Sequence, residues 1–220
     1  MNAESSLSIK WIKAGAVSGL LACLIYPTLI LIEMPQFLAL LFAGLFGPLL
    51  YIASIGLYFL IKIHGKTMTL QLALLFNIIG GTIVNLMLVV QMAIRISVIK
   101  YLKDFDDATT RETINLVFNI VDKVQLGLDV SWDMFIAGGT FFFAINMLNH
   151  PRFGKLIGGV GILVAIALLI LNLITFPEPP AEAGFMDLGP FVGIWYLVVT
   201  IIVFFSLKWA HDEINLRETY

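Results

Sequence analysis

Long apolar runs separated by short charged segments dominate the pattern of this chain. Five runs contain no Asp, Glu, Lys or Arg, and they cover residues 14–32, 37–61, 67–94, 156–177 and 188–207. A helix rises 1.5 Å per residue, so about 20 apolar residues cross a hydrocarbon core of ~30 Å. Each run therefore predicts one membrane-spanning helix.

A sixth run, residues 126–148, has the length of a span but contains two aspartates, Asp129 and Asp133. A charge at bilayer depth costs ~3 kcal/mol on insertion scales, so such residues usually face a protein interior or a water-filled cavity. With this run included, the predicted fold is an all-α, polytopic membrane bundle of six transmembrane helices. It forms a single membrane domain over residues 1–220, and its first partner is the lipid bilayer.

The distribution of basic residues predicts the orientation of this bundle. With six spans, the side that holds the N-terminus carries Lys10, Lys13, Lys62, Lys66, Arg152, Lys155, Lys208 and Arg217. The basic residues of the opposite side all lie between spans three and four, and they are Arg95, Lys100, Lys103, Arg111 and Lys123. Because cytoplasmic loops are enriched in Lys and Arg, we expect a multi-pass protein of the cell (inner or plasma) membrane with both termini in the cytoplasm.

Composition narrows the class of function. Hydrophobic residues make up 60% of the chain and charged residues 13%, whereas a soluble domain carries about 25% charged residues. The net charge of -2 argues against nucleic acid as a partner, because nucleic-acid binding demands a basic face. The single cysteine excludes an intrachain disulfide, and nothing in the pattern indicates an oligomeric state.

The segment of about residues 104–125 is the one sizeable region predicted to lie outside the membrane. Thr109 fits a helix N-cap, with Glu112 reaching back as in a capping box. No proline follows before Leu148, which predicts one helix from about Thr110 through the fourth span. Such a helix is ~58 Å long, about twice the hydrocarbon thickness, so its first part is expected to project outside.

Polar side chains follow one face of this long helix in steps of three and four residues. They are Glu112, Asn115, Asn119, Asp122, Asp129 and Asp133, and the small residues Ala137, Thr140 and Ala144 continue the stripe. Small residues mark the packed face of a membrane helix. We therefore expect both intramembrane aspartates to point into the bundle.

The candidate ligand- or ion-binding residues in the outer half of the membrane are Asp129, Asp133, Arg95, Asn85 and Trp132. Further acidic residues converge on the same side, namely Glu33, Glu178, Glu182 and Asp187. One interpretation is an outward-facing polar pocket for a small polar ligand, a cation or a proton. A second is a structural ion pair between Arg95 and an aspartate, with Trp132 in an interfacial aromatic belt. A third places the aspartates at the headgroup level, where they are solvated.

Asn85 shares a face of span three with Asn77 and Gly81. This face is either the wall of a cavity or a set of hydrogen bonds between helices. Span one carries Gly15 and Gly19, and span five carries Gly154 and Gly158. Their spacing allows close backbone approach, which predicts a crossing of the first and fifth spans.

No signature of a cofactor, a metal or an enzyme is present. His64, His150 and His211 fall at cytoplasmic helix ends without the spacing of a zinc helix, and no glycine-rich nucleotide loop occurs. The leading hypothesis is binding or transport of a small solute or ion. The alternative is a structural or interaction protein that uses the long helix before span four, and a membrane enzyme ranks third.

The second half of the chain carries several recognisable segments. They include Trp132-Asp133, Asn149-His150-Pro151-Arg152-Phe153-Gly154, Asp187-Leu188-Gly189-Pro190 and Gly193-Ile194-Trp195-Tyr196. This half resembles uncharacterised six-span prokaryotic integral membrane proteins. The resemblance implies the six-span topology and no particular function.

Overall fold

The computed structural model describes residues 3–105, 107–178, 180–181 and 183–218. These residues form helices and no strand, which confirms the all-α class. The helices are α1 (Ala3–Leu31), α2 (Gln36–His64), α3 (Met68–Asp104), α4 (Ala108–Met147), α5 (Gly154–Thr175), α6 (Gly189–Phe205) and α7 (Leu207–Glu218). The first five are long and apolar enough to cross a membrane, and α6 with α7 passes the same test as one bent pair.

The exterior of the bundle is apolar. Large hydrophobic side chains stand exposed around it, among them Leu24 on α1, Leu163 on α5 and Phe205 on α6, with exposed fractions of 63%, 69% and 72%. Soluble proteins rarely expose apolar patches of this extent. The protein is therefore described as an integral membrane protein whose helices present their outer faces to lipid.

The helices form a ring in chain order. Each of α1 to α5 packs against the next, and α6 closes the ring between α5 and α1. The end of the bundle that holds the turn between α4 and α5 is called here the His150 end. The opposite end, at which α4 enters the bundle, is called the Asp129 end.

Helices α1 and α2 cross with their backbones in close contact. A Cβ atom added to Gly15 would lie 2.5 Å from the Cα atom of Gly56, so neither position has room for a side chain. A Cβ atom added to Gly158 of α5 would instead lie 2.7 Å from the carbonyl oxygen of Ala144 on α4. The predicted crossing of the first and fifth helices is thus wrong, because each glycine packs against the helix next to its own in the ring.

Helices α3 and α4 extend beyond the rest of the bundle as a hairpin. The last buried residue of α3 is Leu88 and the first of α4 is Leu126, and none of the residues described between them is buried. Residues 108–125 of α4 alone extend over ~27 Å. The single long helix predicted for this region is confirmed by α4.

The start of α4 differs from the prediction. The N-cap is Asp107 rather than Thr109, and its Oδ1 accepts a hydrogen bond of 2.7 Å from the Thr110 backbone N–H. That hydrogen bond holds the pKa of the Asp107 carboxyl below its usual range. A carboxylate is the stronger acceptor, and it also interacts favourably with the positive end of the helix dipole.

Ser206 marks a bend of 55° between α6 and α7. Its Oγ donates to the carbonyl of Ile202 at 2.6 Å and accepts from Nε of Arg152 at 2.9 Å. The sixth predicted span therefore ends in a bend, and the polar helix α7 turns beneath the His150 end. Ala210 and Ile214 of α7 are buried there.

Candidate functional site

Asp129 and Asp133 lie one turn apart on α4, just inside the level at which the bundle begins. Both are half-buried, and both lie within electrostatic range of the Tyr26 hydroxyl on α1. The side chain of Asn172 on α5 lies near the Asp133 carboxyl, and its Nδ2 donates to the Leu168 carbonyl of its own helix at 3.1 Å. Since their neighbours belong to α1 and α5, the two aspartates face other helices.

A third carboxyl group joins this pair from the loop between α5 and α6. Asp187 is within electrostatic range of both Asp129 and Asp133. Its own Oδ1 accepts a hydrogen bond of 2.9 Å from the Gly189 N–H, which fixes it at the start of α6. We call Asp129, Asp133 and Asp187 the acidic cluster.

Aromatic rings border the acidic cluster. The ring centroids of Tyr26 and Trp132 are 6.0 Å apart, and Tyr26 packs in turn against Phe46 of α2 at 5.0 Å. The indole Nε1 of Trp132 is buried and has no hydrogen-bond partner within the described part of the chain. Trp132 thus offers both a ring face and an unpaired donor on the same helical turn as the two aspartates.

Arg95 does not pair with the acidic cluster, so the second interpretation, a structural ion pair between Arg95 and an aspartate, is wrong. Its side chain is exposed, and among the described residues no carboxylate lies within 4.0 Å of its guanidinium. The reason is its height. Arg95 lies on the projecting hairpin, ~10 Å beyond Leu88 at 1.5 Å per residue, whereas Asp129 and Asp133 lie inside the bundle.

The side chain of Asn85 contacts helix α2 and is not part of the acidic cluster. With its amide nitrogen turned toward α2, it donates to the carbonyls of Gly44 at 2.9 Å and Ala43 at 3.0 Å. Proline has no N–H, so Pro48 leaves the carbonyl four residues earlier, that of Gly44, without its helical donor. Neighbouring helices satisfy such groups in membrane proteins. Pro48 could have indicated this contact from the sequence, because a proline within a helix leaves one carbonyl in need of another donor.

The centre of the bundle is closed by a second polar group of residues. Tyr196 on α6 donates to Asn77 Oδ1 on α3 at 2.6 Å, and Thr140 on α4 donates to the Tyr196 hydroxyl at 3.1 Å. Asn77 and Thr140 are fully buried. The interpretation of the span-three polar face as interhelical hydrogen bonding is confirmed for Asn77.

The sequence did not single out Tyr26 or Asn172 as neighbours of the aspartates. Asn172 is a buried amide near the end of a largely apolar helix, and a polar side chain within such an apolar run is the signal that could have indicated it. Of the other acidic residues expected nearby, Glu33 and Glu178 are exposed. Glu182 lies outside the described residues.

At the His150 end, two histidines come together. The ring centroids of His64 and His150 are 5.5 Å apart. His150 is 1% exposed, and its Nδ1 accepts from the Arg152 backbone N–H at 3.2 Å. Burial, together with the nearby His64 and Arg152 side chains, lowers the pKa of His150 to about 4. The ring is therefore a neutral packing element under ordinary conditions.

The acidic cluster lacks the arrangement of a metal site. Within the described residues, no three His, Cys, Asp or Glu side chains converge as ligands of one ion. Comparison with protein-family models, with curated proteins and with solved structures finds no match to this chain. Any statement about function therefore depends on the geometry of the chain itself.

Proposed function

We propose that the protein crosses the cell membrane six times with both termini in the cytoplasm. In this topology α1 to α5 are five spans, and α6 with the start of α7 is the sixth. The excess of Lys and Arg at the His150 end supports its placement on the cytoplasmic side. The acidic cluster then lies in the outer half of the membrane and faces the outside.

The proposed activity is binding of a small organic cation at the acidic cluster. The observation that carries it is the proximity of three carboxyl groups with no ion-paired basic side chain among the described residues. Like charges at partly buried sites repel one another, and a bound cation removes that repulsion. A bound cation supplies the balancing positive charge that Arg95 does not provide.

The surroundings favour an ammonium-type solute over a bare metal ion. The carboxyl groups do not converge as metal ligands, whereas the rings of Tyr26 and Trp132 lie beside them. Aromatic faces attract organic cations through their quadrupoles, by ~0.5–2 kcal/mol per contact. Transport of the same solute requires the central contact between Tyr196, Asn77 and Thr140 to open, so binding is the primary proposal.

Thermal unfolding of the purified protein with choline chloride tests this activity. Sodium chloride at equal ionic strength is the reference. Choline is expected to raise the Tm of the wild-type protein by several degrees, since a ligand at 100 times its Kd stabilises by ~2.7 kcal/mol. Asp133→Asn should abolish the shift, and Asp122→Asn, an exposed carboxylate on the same helix, should retain it. Absence of a choline shift, or an equal shift in Asp133→Asn, would contradict the proposal.

A second candidate function, an interaction through the hairpin, is favoured by one observation. The projecting part of α4 exposes Leu116, Val117, Ile120 and Val124 on one side, each more than half exposed. Outside the membrane such a face is suited to a partner helix. Ile120→Glu is expected to remove a stoichiometric copurifying protein that Asn119→Glu retains. Identical preparations from both variants would count against this function.

A further inference from the structure

An apolar groove of about 530 Å³ lies between α3, α4 and α5. Its lining contains none of the three aspartates of the acidic cluster, although Met134 at one end of the groove directly follows Asp133 in the chain. Sites for small molecules and lipids are usually apolar and have volumes of ~300–1,000 Å³. The groove is lined by Phe76, Met134, Gly138, Phe141, Ile166 and Leu169, among others. It therefore has the size and the chemistry of a binding site for a hydrocarbon ligand.

One wall of the groove is a row of phenylalanine rings in contact with each other. Phe76 meets Phe135 at 5.4 Å and Phe142 at 5.6 Å, and Phe142 meets Phe141 at 5.6 Å. Gly138 supports the row, because a Cβ atom there would collide with the Phe76 ring. Rings packed against each other and against a glycine hold the wall in place before any ligand arrives.

The groove opens sideways toward the hydrocarbon of the bilayer. Met134 and Ile166 at its rim are 44% and 43% exposed, and both lie well inside membrane-spanning helices. From Met134 to Phe142 the groove follows α4 for ~12 Å, at 1.5 Å per residue. Its occupant must therefore come from within the membrane.

The volume fits segments of two acyl chains, about nine carbons of each. If a methylene group takes up about the ~30 Å³ of a water molecule, the groove holds roughly 18 methylene groups. With C–C bonds of ~1.5 Å, an extended chain advances ~1.3 Å per carbon, so that ~12 Å accommodates about nine carbons of one chain. Roughly 18 methylene groups over this length correspond to two chains side by side.

A positive charge lies where the headgroup of such a lipid would be. Lys155 is eleven residues before Ile166 on α5. Eleven residues make three helical turns plus a rotation of ~20°, so the two side chains lie on the same face of the helix, and they are ~16 Å apart along its axis. Lys155 is exposed at the His150 end, and none of the described carboxylates pairs with it. Lys66, in the loop before α3, is exposed at the same end.

We propose that this groove is a site for an anionic phospholipid. Its two acyl chains lie against the phenylalanine wall, and its phosphate meets the Lys155 ammonium. Lysine near the headgroup level attracts anionic lipid phosphates, and the apolar groove selects paired chains by shape. The site depends on the membrane location of the protein but not on the solute proposed for the acidic cluster.

Native mass spectrometry of the delipidated full-length protein, with phosphatidylglycerol added back, tests the site. The wild-type protein is expected to retain one phosphatidylglycerol and to retain less phosphatidylcholine. Ile166→Trp, which fills the groove from its rim, should lower this retention at least fivefold. Leu163→Trp, on an exposed face of α5 outside the groove, is the matched control and should leave retention unchanged.

Charge is tested separately. Lys155→Glu should lower phosphatidylglycerol retention by about fivefold or more, given the usual contribution of one lysine at a membrane surface. Lys10→Glu, an exposed lysine of α1 at the same end, should not. Equal losses in Ile166→Trp and Leu163→Trp, or no effect of Lys155→Glu, would overturn the proposal. Neither set of variants touches the acidic cluster, so the choline experiment is independent of this one.

Discussion

Tyr196 on α6 donates a hydrogen bond of 2.6 Å to the side-chain oxygen of Asn77 on α3. These helices are not neighbours in the ring, so the bond crosses the centre of the bundle. The same hydroxyl accepts from Thr140 on α4, which links three helices through one oxygen atom. In an apolar interior, loss of that atom leaves two buried polar groups unpaired.

Tyr196→Phe is expected to lower the free energy of unfolding by about 1 kcal/mol. Hydrogen bonds between membrane helices contribute ~0.6 kcal/mol on average and up to ~1.7 kcal/mol, and this substitution removes two of them. Unfolding by denaturing detergent in mixed micelles measures the change. Tyr101→Phe, on the exposed hairpin, is the control and should leave stability unchanged. Equal effects of the two substitutions would show that the central network adds nothing.

Gly56→Ala is expected to be far more harmful than alanine at Gly159, a helical glycine with open space around it. Its Cβ would lie 2.6 Å from the Gly15 Cα, so α1 and α2 must separate. Overpacking of this kind costs about 1–3 kcal/mol. Gly159→Ala on α5 meets no atom within 4 Å and should be neutral. The same unfolding measurement compares the two, and a neutral Gly56→Ala would refute the close crossing.

The helices themselves could be predicted from the sequence because charge-free runs of about 20 residues have one stable form in lipid. The long α4 was also predictable, since no proline interrupts it. The contacts between helices could be predicted less well from the sequence. Gly15 has the spacing to pack against any small residue, and only the fold decides that its partner is Gly56 of α2 rather than a glycine of α5.

The candidate site shows the same division between local and long-range information. The position of Asp129 and Asp133 on the inward face of α4 follows from helical periodicity. Their neighbours Tyr26 and Asp187 lie more than 50 residues away in the chain, and no periodicity connects them. The interpretation of an ion pair with Arg95 is wrong because opposite charge is not sufficient for pairing. The two side chains must also lie at the same level along the bundle, and Arg95 lies beyond the aspartates.

His150 predicts a specific dependence of stability on pH. Burial lowers its folded-state pKa to about 4, whereas an unfolded histidine titrates near 6.5. Between these values the unfolded chain binds a proton that the folded chain does not. The contribution of neutral His150 to the free energy of unfolding is thus complete above about pH 6.5. It is lost as the pH falls toward 4, by roughly 3 kcal/mol in total.

The measurement is the free energy of unfolding at several values between pH 4 and 7, with His150→Gln as the variant. Replacement by glutamine removes the titrating ring, so the variant should show the shallower pH dependence. His211→Gln, at a half-exposed histidine of α7, should keep the wild-type slope. Carboxyl groups that titrate in this range contribute equally to all three proteins and cancel in the comparison. Parallel curves for His150→Gln and the wild type would contradict the buried neutral ring.

The link between Asn85 and Pro48 predicts a coupling between two substitutions. Asn85→Ala should cost about 1–2 kcal/mol, because the Gly44 carbonyl that Pro48 leaves without a helical donor then loses its donor from α3. Pro48→Ala supplies a backbone N–H to that same carbonyl. In the Pro48→Ala background, Asn85→Ala should therefore cost less, with a coupling energy of at least about 0.5 kcal/mol. A double-mutant cycle on detergent unfolding measures this coupling, and Asn119→Ala on the hairpin provides the uncoupled control. Strict additivity of the Asn85 and Pro48 substitutions would exclude the proposed rescue of the proline site by α3.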